Sequence, residues 1–287
     1  MTPSLRFPEL LLAIAVLAGC AEPEPAPDPD PGPRLCNGHE ALCARPFDEV
    51  VLPGTHNSMA NAEDGWIAPN QNVPIAAQLA SGIRGLLLDT YEEDGELLLC
   101  HGYCELGSKP LVEALVELRT FLVEHPHEVI AIIFQDGISP QQTEAAFVDA
   151  GLIDHVLVPG EAWPTLDELI DADTRVLVTA EFSGGPPDWH AHAWDLFWDT
   201  DYSFREVADM DCEPNRGDPG NPLFLVNHWL SAPLPQADEA PHTNSAAVLR
   251  ARIEQCEQQH GRLPTLLAVD FHDVGDVLTV VAELNER

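Results

Sequence analysis

Short apolar runs of strand type alternate along this chain with stretches of helical period. The predicted strands are Val50–Pro53, Gly85–Asp89, Leu97–Cys100, Val129–Phe134, Arg175–Thr179, Leu223–Val226 and Leu266–Val269. Nearly all are continuously apolar, the pattern of strands covered on both faces in a parallel sheet or barrel. Between them Leu111, Val112, Leu115, Leu118, Phe121 and Leu122 keep helical spacing behind Pro110, a favourable residue at a helix start. Further helices are predicted over 244–259, where Asn244 or Ser245 would cap, and after Asp273. The alternation implies an α/β fold, and at this length an irregular (β/α) TIM barrel in a single domain. A Trp/Pro-rich stretch from Gly184 to Pro222 breaks the pattern and is predicted to be a long loop near the site.

Barrel chemistry sits at the carboxyl ends of strands, so the polar residues just past each run matter. They are His56 and Asn57, Asp89, His101, Gln135 and Asp136, Glu181, Asn227 and His228, then Asp270 and His272. A single histidine at a strand end is more often structural than catalytic. Several on one rim point to chemistry.

Composition narrows the partners. The 287 residues carry 48 acidic against 13 Lys or Arg residues, a formal net charge of −35, which leaves no basic surface for nucleic acid. Such a surface is also repelled by anionic lipid headgroups, so membrane attachment would need a hydrophobic or covalent anchor. The N-terminus offers one. Residues 1–19 contain Arg6 and the apolar run Leu10–Leu17, and Leu17-Ala18-Gly19-Cys20 resembles a bacterial lipobox, which would make 1–19 a lipoprotein signal peptide and Cys20 the lipidated residue. An ordinary secretory peptide is the alternative, and both readings export the protein. The Pro- and acid-rich segment 20–34 reads as a tether, and residues 35–287 as the catalytic barrel, expected to be monomeric. Six cysteines remain, an even number that in an exported chain implies disulfides. The smallest loops are closed by Cys36–Cys43, Cys100–Cys104 and Cys212–Cys256, one of fifteen possible pairings.

Leu52-Pro53-Gly54-Thr55-His56-Asn57-Ser58, then Gly82-Ile83-Arg84-Gly85-Leu86-Leu87-Leu88-Asp89, then Leu99-Cys100-His101-Gly102 resemble the X-domain of phosphatidylinositol-specific phospholipases C. The resemblance continues through 128–136, 224–228 and 268–271, so it spans about residues 45–285. It is greatest toward secreted phospholipase C-like phosphodiesterases. It implies an irregular TIM barrel in which His56 is the general base, His101 the general acid and Asp270 the carboxylate that orients the base. Histidine suits both roles because its pKa lies near neutrality.

The resemblance also implies a partner for the phosphate charge. Some members place an Arg in strand two and others bind calcium there; this chain has Leu87 and Asp89. Asn57, Asp89 and Gln135 match calcium-ligand positions, with Asp136 a further candidate, and these are hard oxygen donors suited to Ca²⁺, with Mg²⁺ the alternative. Arg84 is expected to be a structural ion-pair partner. Glu181 stands where relatives carry a basic substrate contact, which argues for an unphosphorylated headgroup. Asn227 and His228 are expected near substrate, and His272 at a helix cap. Trp189, Trp194, Trp198, Tyr202 and Trp229 either line a lipid or sugar surface or pack the loop.

The leading expectation is therefore an exported phosphodiesterase cleaving a phospholipid, preferably an inositol lipid, or a soluble diester. A glycerophosphodiester-type hydrolase using water is the second reading. A surface binding module on a retired barrel is the third.

Overall fold

Eight strands of a computed structural model run parallel in a curled sheet; the structure describes residues 32–231 and 233–287. In chain order the strands are β1 (Leu52–Thr55), β2 (Gly85–Glu93), β3 (Glu96–Cys100), β4 (Ser108–Pro110), β5 (Ile130–Asp136), β6 (Val176–Ala180), β7 (His190–His192), β8 (Phe197–Asp199), β9 (Leu223–His228) and β10 (Leu266–Val269). The helices are α1 (Ile75–Ser81), α2 (Leu111–Glu124), α3 (Pro140–Ala150), α4 (Leu166–Asp171), α5 (Ala193–Leu196), α6 (Ala240–Thr243), α7 (Ala246–His260) and α8 (Val277–Asn285). The sheet order is β7-β6-β5-β2-β1-β10-β9-β8, with β3 and β4 as an antiparallel arm on β2. No ladder among the described residues joins β7 to β8, so the α/β barrel is irregular, as expected. The expected signal peptide 1–19 and Cys20 lie outside the described residues, as does the expected tether up to residue 31. Among the described residues no helix is long and apolar enough to cross a membrane.

Alternation along the strands sorts the core into layers. Leu52, Leu87, Ala131, Ile133, Leu177, Leu225, Leu266 and Ala268 fill the barrel interior in one cluster. Their neighbours Leu86, Leu88, Ile130, Ile132, Phe134, Val176 and Val178 face α1 to α3. Phe224, Val226, Leu267 and Val269 face α7 and α8. Continuous apolar runs arise because both faces of each strand are covered.

Two expectations need correction. The run Leu97–Cys100 is not a barrel strand: a two-residue Asp94-Gly95 turn, with both residues at positive φ, folds it back antiparallel on β2, Glu96 opposite Glu93. Asp-Gly is favoured there because both central positions of such a hairpin need left-handed backbone. The stretch 184–222 is likewise more than a loop, since it contributes β7, α5 and β8. At α7, Ser245 is the capping position, yet its side chain makes no cap bond; Asp276 Oδ2 accepts from Ala246 N instead. Arg84 acts structurally as expected, donating to Glu128 at 2.6 Å and to the carbonyls of Leu79 and Ile83.

The disulfides pair Cys36–Cys43, Cys100–Cys104 and Cys212–Cys256. The last spans 44 residues and ties α7 to the segment before β9. Loop-closure entropy at that length is about 4 kcal/mol. Replacing both Cys212 and Cys256 by Ala is therefore expected to lower unfolding free energy by up to about that amount in urea titrations.

Candidate active site

A cavity of about 320 Å³ opens at the carboxyl ends of the parallel strands. His56, Asn57, Leu87, Asp89, His101, Gln135, Glu181 and Asn227 all line it. The parity that fills the core also selects them: Leu52 and Gly54 lead to His56, Leu87 to Asp89, Ile133 to Gln135, Leu225 to Asn227, and Ala268 to Asp270. Each step of two residues keeps the side chain on the interior face.

The same parity removes two expected residues. Asp136 lies one position past Gln135 and points the other way; its carboxylate accepts from Phe182 N at 2.8 Å and from Ser183 Oγ. It ties down the loop after β6 and is not a cation ligand in this arrangement. His228, one past Asn227, is fully buried against α6, where Nε2 donates to the Thr243 carbonyl at 2.9 Å. It does not line this cavity. His272 is not a cap either, since it bridges Gln71 and Ser81. His190 in β7 is fully buried, with no hydrogen-bond partner for either ring nitrogen among the described residues.

At the centre, His56 Nδ1 lies 2.9 Å from Asp270 Oδ1, which holds Nδ1 protonated and leaves Nε2 as the free base. Asn70 Nδ2 donates to both Asp270 oxygens at 3.1 Å. Trp229 stacks flat on the His56 ring, centroids 3.9 Å apart at 6°. His101 stands across the cavity, its ring centroid 6.4 Å from that of His56. The β2–β3 hairpin explains this, because the returning strand brings residue 101 back to the level of Leu88 and Asp89. Burial, reinforced by the neighbouring His56, holds the His101 imidazole below its ordinary pKa.

Asp89 is buried, and burial pushes its carboxyl up to about 7, opposed by His56 and assisted by Glu181. It has no hydrogen-bond partner among the described residues. Gln135 sits directly beside it in the β2–β5 register, and Asn57 follows on the other flanking strand. A carboxyl raised by desolvation and neighboured by two amide side chains suits a hard cation, which would restore its charged form.

The cavity lining also includes a residue the sequence reading missed. Arg216 bonds Asp199 through Nε (3.0 Å) and Nη2 (2.6 Å) and Glu181 through Nη1 (2.9 Å). Its guanidinium lies over Trp194 at 4.1 Å and Tyr202 at 4.7 Å. Gly217, at φ +75, lets this turn pass against the Phe197 carbonyl, where a Cβ would collide. Asn227 supports the group by donating to Asp199 and the Thr200 carbonyl, so it braces the wall and does not offer its amide nitrogen to a substrate. Glu181 and Asp199 are raised, chiefly by burial, against the lowering effect of Arg216. Of the expected aromatics, Trp198 stacks on Phe224 in the core and Trp189 packs on Phe147; only Tyr202 and Trp229 line the cavity. The sequence signal for Arg216 was its place in the irregular stretch of a chain poor in bases.

Comparison with known proteins now bears on this geometry. Residues 42–285 match the family model described as PI-PLC X 1. The chain belongs to the PI-PLC X family. It is 28% identical over 278 residues to PI-PLC X domain-containing protein 1 of Arthroderma benhamiae, covering 88% of this chain and 89% of that protein. It is 27% identical to an uncharacterized secreted protein of the same fungus, with 88% of this chain and 64% of that protein covered. This PI-PLC X chain thus spans under two thirds of the latter's length. Phosphatidylinositol-specific phospholipase C from Staphylococcus aureus shares the fold, with TM-score 0.61, 15% identity, and 84% and 93% of the two chains covered.

The buried His228 predicts a pH effect on stability. Burial depresses its pKa from 6.5 to about 4, so the unfolded chain binds its proton more readily. Its contribution is intact above pH 6.5 and is lost as pH falls toward 4, a change on the order of 3 kcal/mol. Chemical denaturation of wild type and His228→Gln across that window is expected to show a shallower pH slope in the variant.

Proposed function

We propose that this PI-PLC X chain is an exported phosphodiesterase that cleaves a phospholipid headgroup diester, an unphosphorylated inositol lipid being the preferred substrate. The observation that supports this best is the facing pair: a base tied to a carboxylate, and a second imidazole one substrate-width away across a cavity. His56 Nε2 takes the proton from a headgroup hydroxyl adjacent to the phosphodiester, and its Nδ1 proton stays on the Asp270 hydrogen bond. The freed oxygen bonds to phosphorus while the bond to the leaving alcohol breaks, and protonated His101 gives that alcohol its proton. A cyclic phosphate and a diacylglycerol result.

Asn57, Asp89 and Gln135 would hold a divalent cation, Ca²⁺ or Mg²⁺, which when bound neutralises charge on the non-bridging oxygens. Leu87 contributes nothing there. Arg216, with its charge matched by Glu181 and Asp199, suits hydroxyls of an uncharged ring better than further phosphates, because the surrounding carboxylates repel anions. Export is supported by the relative named as secreted. Attachment through lipidated Cys20 rests on the lipobox-like wording; a Cys20→Ser variant is expected to leave the membrane fraction, and its retention there would refute the anchor.

Turnover of phosphatidylinositol in mixed micelles, followed by phosphorus NMR, tests the reaction. His56→Ala and His101→Ala are each expected to lose roughly 10²–10⁴-fold in kcat with unchanged thermal unfolding, and EDTA to abolish turnover until Ca²⁺ is restored. The rate should already be falling as pH rises toward 6.5, since His101 must be protonated to act and burial holds its pKa below the ordinary value. Full activity in either histidine variant removes the mechanism. A linear first product would instead indicate water as nucleophile, and absence of any turnover would favour the binding module.

A further inference from the structure

Asp270 does not reach His56 through a relaxed backbone. Phe271, immediately after it, adopts φ +49, a left-handed conformation that a bulky side chain avoids and that persists only where its surroundings impose it. The surroundings are specific. Phe271 N donates to the Asn70 carbonyl at 2.8 Å, and Asn244 Nδ2 donates to the carbonyls of Asp270 and Phe271. The Asn70 side chain then closes on the carboxylate, with Nδ2 at 3.1 Å from each Asp270 oxygen. His56 Nδ1–H and Asn70 Nδ2 therefore converge as two donors on one carboxylate, 3.3 Å from each other. The remaining atom of the Asn70 amide, Oδ1, accepts from Asn57 Nδ2 at 3.2 Å, which turns the Asn57 oxygen toward the cavity. Asn57 is itself at φ +44. Next in sequence, buried Gln71 donates to the carbonyls of His56 and Val269 and accepts from His272 N, so the segment carrying Asn70 is anchored to both strands it spans.

We propose that Asn70 is the positioning residue of this site: its one amide clamps the Asp270 carboxylate in the orientation that His56 uses and, through its oxygen, sets the side chain of Asn57. The inference rests on the reading of His56 as the base. Both polar atoms of the Asn70 amide are taken up by Asp270 and Asn57, so it acts through the His56–Asp270 pair. A carboxylate with two fixed donors has one orientation, and a second partner of this kind is worth roughly tenfold to a hundredfold in activity. The isosteric Asn70→Asp replaces a donor by a second acceptor against Asp270, where repulsion turns the carboxylate away.

Two measurements on the full chain test this. The first is kcat and KM with phosphatidylinositol in mixed micelles. Asn70→Ala and Asn70→Asp are expected to lose roughly tenfold to a hundredfold in kcat with KM little changed. The exchange Asn70→Asp with Asp270→Asn is expected to recover part of the loss in Asn70→Asp, because it returns one carboxylate and one amide to the same contact beside Nδ1. The second measurement needs no turnover: the hydrogen-bonded Nδ1 proton of His56, assigned by its absence in His56→Gln, is expected in the proton NMR spectrum of wild type and lost or broadened in Asn70→Ala. Wild-type kcat in Asn70→Ala, or an unchanged His56 resonance, overturns the proposal. If wild type turns over no substrate while the resonance still depends on Asn70, the positioning role stands and the phosphodiesterase reading fails. Should Asn70→Ala not fold, Asn70→Ser is read in the same two ways.

Discussion

Strands β1 and β10 lie side by side with Thr55 opposite Val269, and that register puts His56 next to Asp270 although 214 positions separate them. The site depends on this adjacency. The order of the sheet follows from it, because β1 is the hub between the β2–β5–β6 half and the β10–β9–β8 half. The first half supplies Asp89 and Gln135, the second supplies Asn227 and Asp199, and the loop after β1 supplies Asn57 and Asn70. A small slip of β1 against β10 would move the base away from its carboxylate and turn inward side chains outward.

Electrostatics divides the cavity into two unlike walls. One holds Asp89, raised to about 7 by burial, beside two amides, and is short of positive charge. The other holds a guanidinium enclosed by two carboxylates and two aromatic faces. In a chain of net charge −35, a single positioned arginine is a scarce resource, and its pairing leaves it suited to neutral polar groups. The two histidines line the same cavity, with Trp229 flattened on His56 to limit its rotation.

Much of this was legible in the chain. Six of the seven apolar runs located strands of the parallel sheet, one of them with its limits unchanged at Leu266–Val269, because a strand covered on both faces must be apolar throughout. The wording around His56, Asp89, His101 and Asp270 pointed to the rim. Asp136 and His228 were misplaced for want of a parity that the runs already contained: each lies one step from an inward residue, and successive strand side chains face opposite ways. The antiparallel return of Leu97–Cys100 was also foreshadowed by Asp94-Gly95, a pair suited to a tight hairpin.

Arg216, Asn70 and the desolvation of Asp89 were not legible, for a physical reason. An asparagine in a polar loop and an arginine in an irregular segment have no period, and their meaning comes only from what folds against them. Local propensity and alternation are properties of neighbours in sequence, so the chain by itself determined the strands, the helices on their faces and the histidines at the rim. Burial, charge pairing and hydrogen-bond geometry are properties of neighbours in space. Only the tertiary structure decided that Asp89 is desolvated, that Arg216 is shared by two acids, and that one amide at Asn70 donates to both oxygens of the carboxylate behind His56.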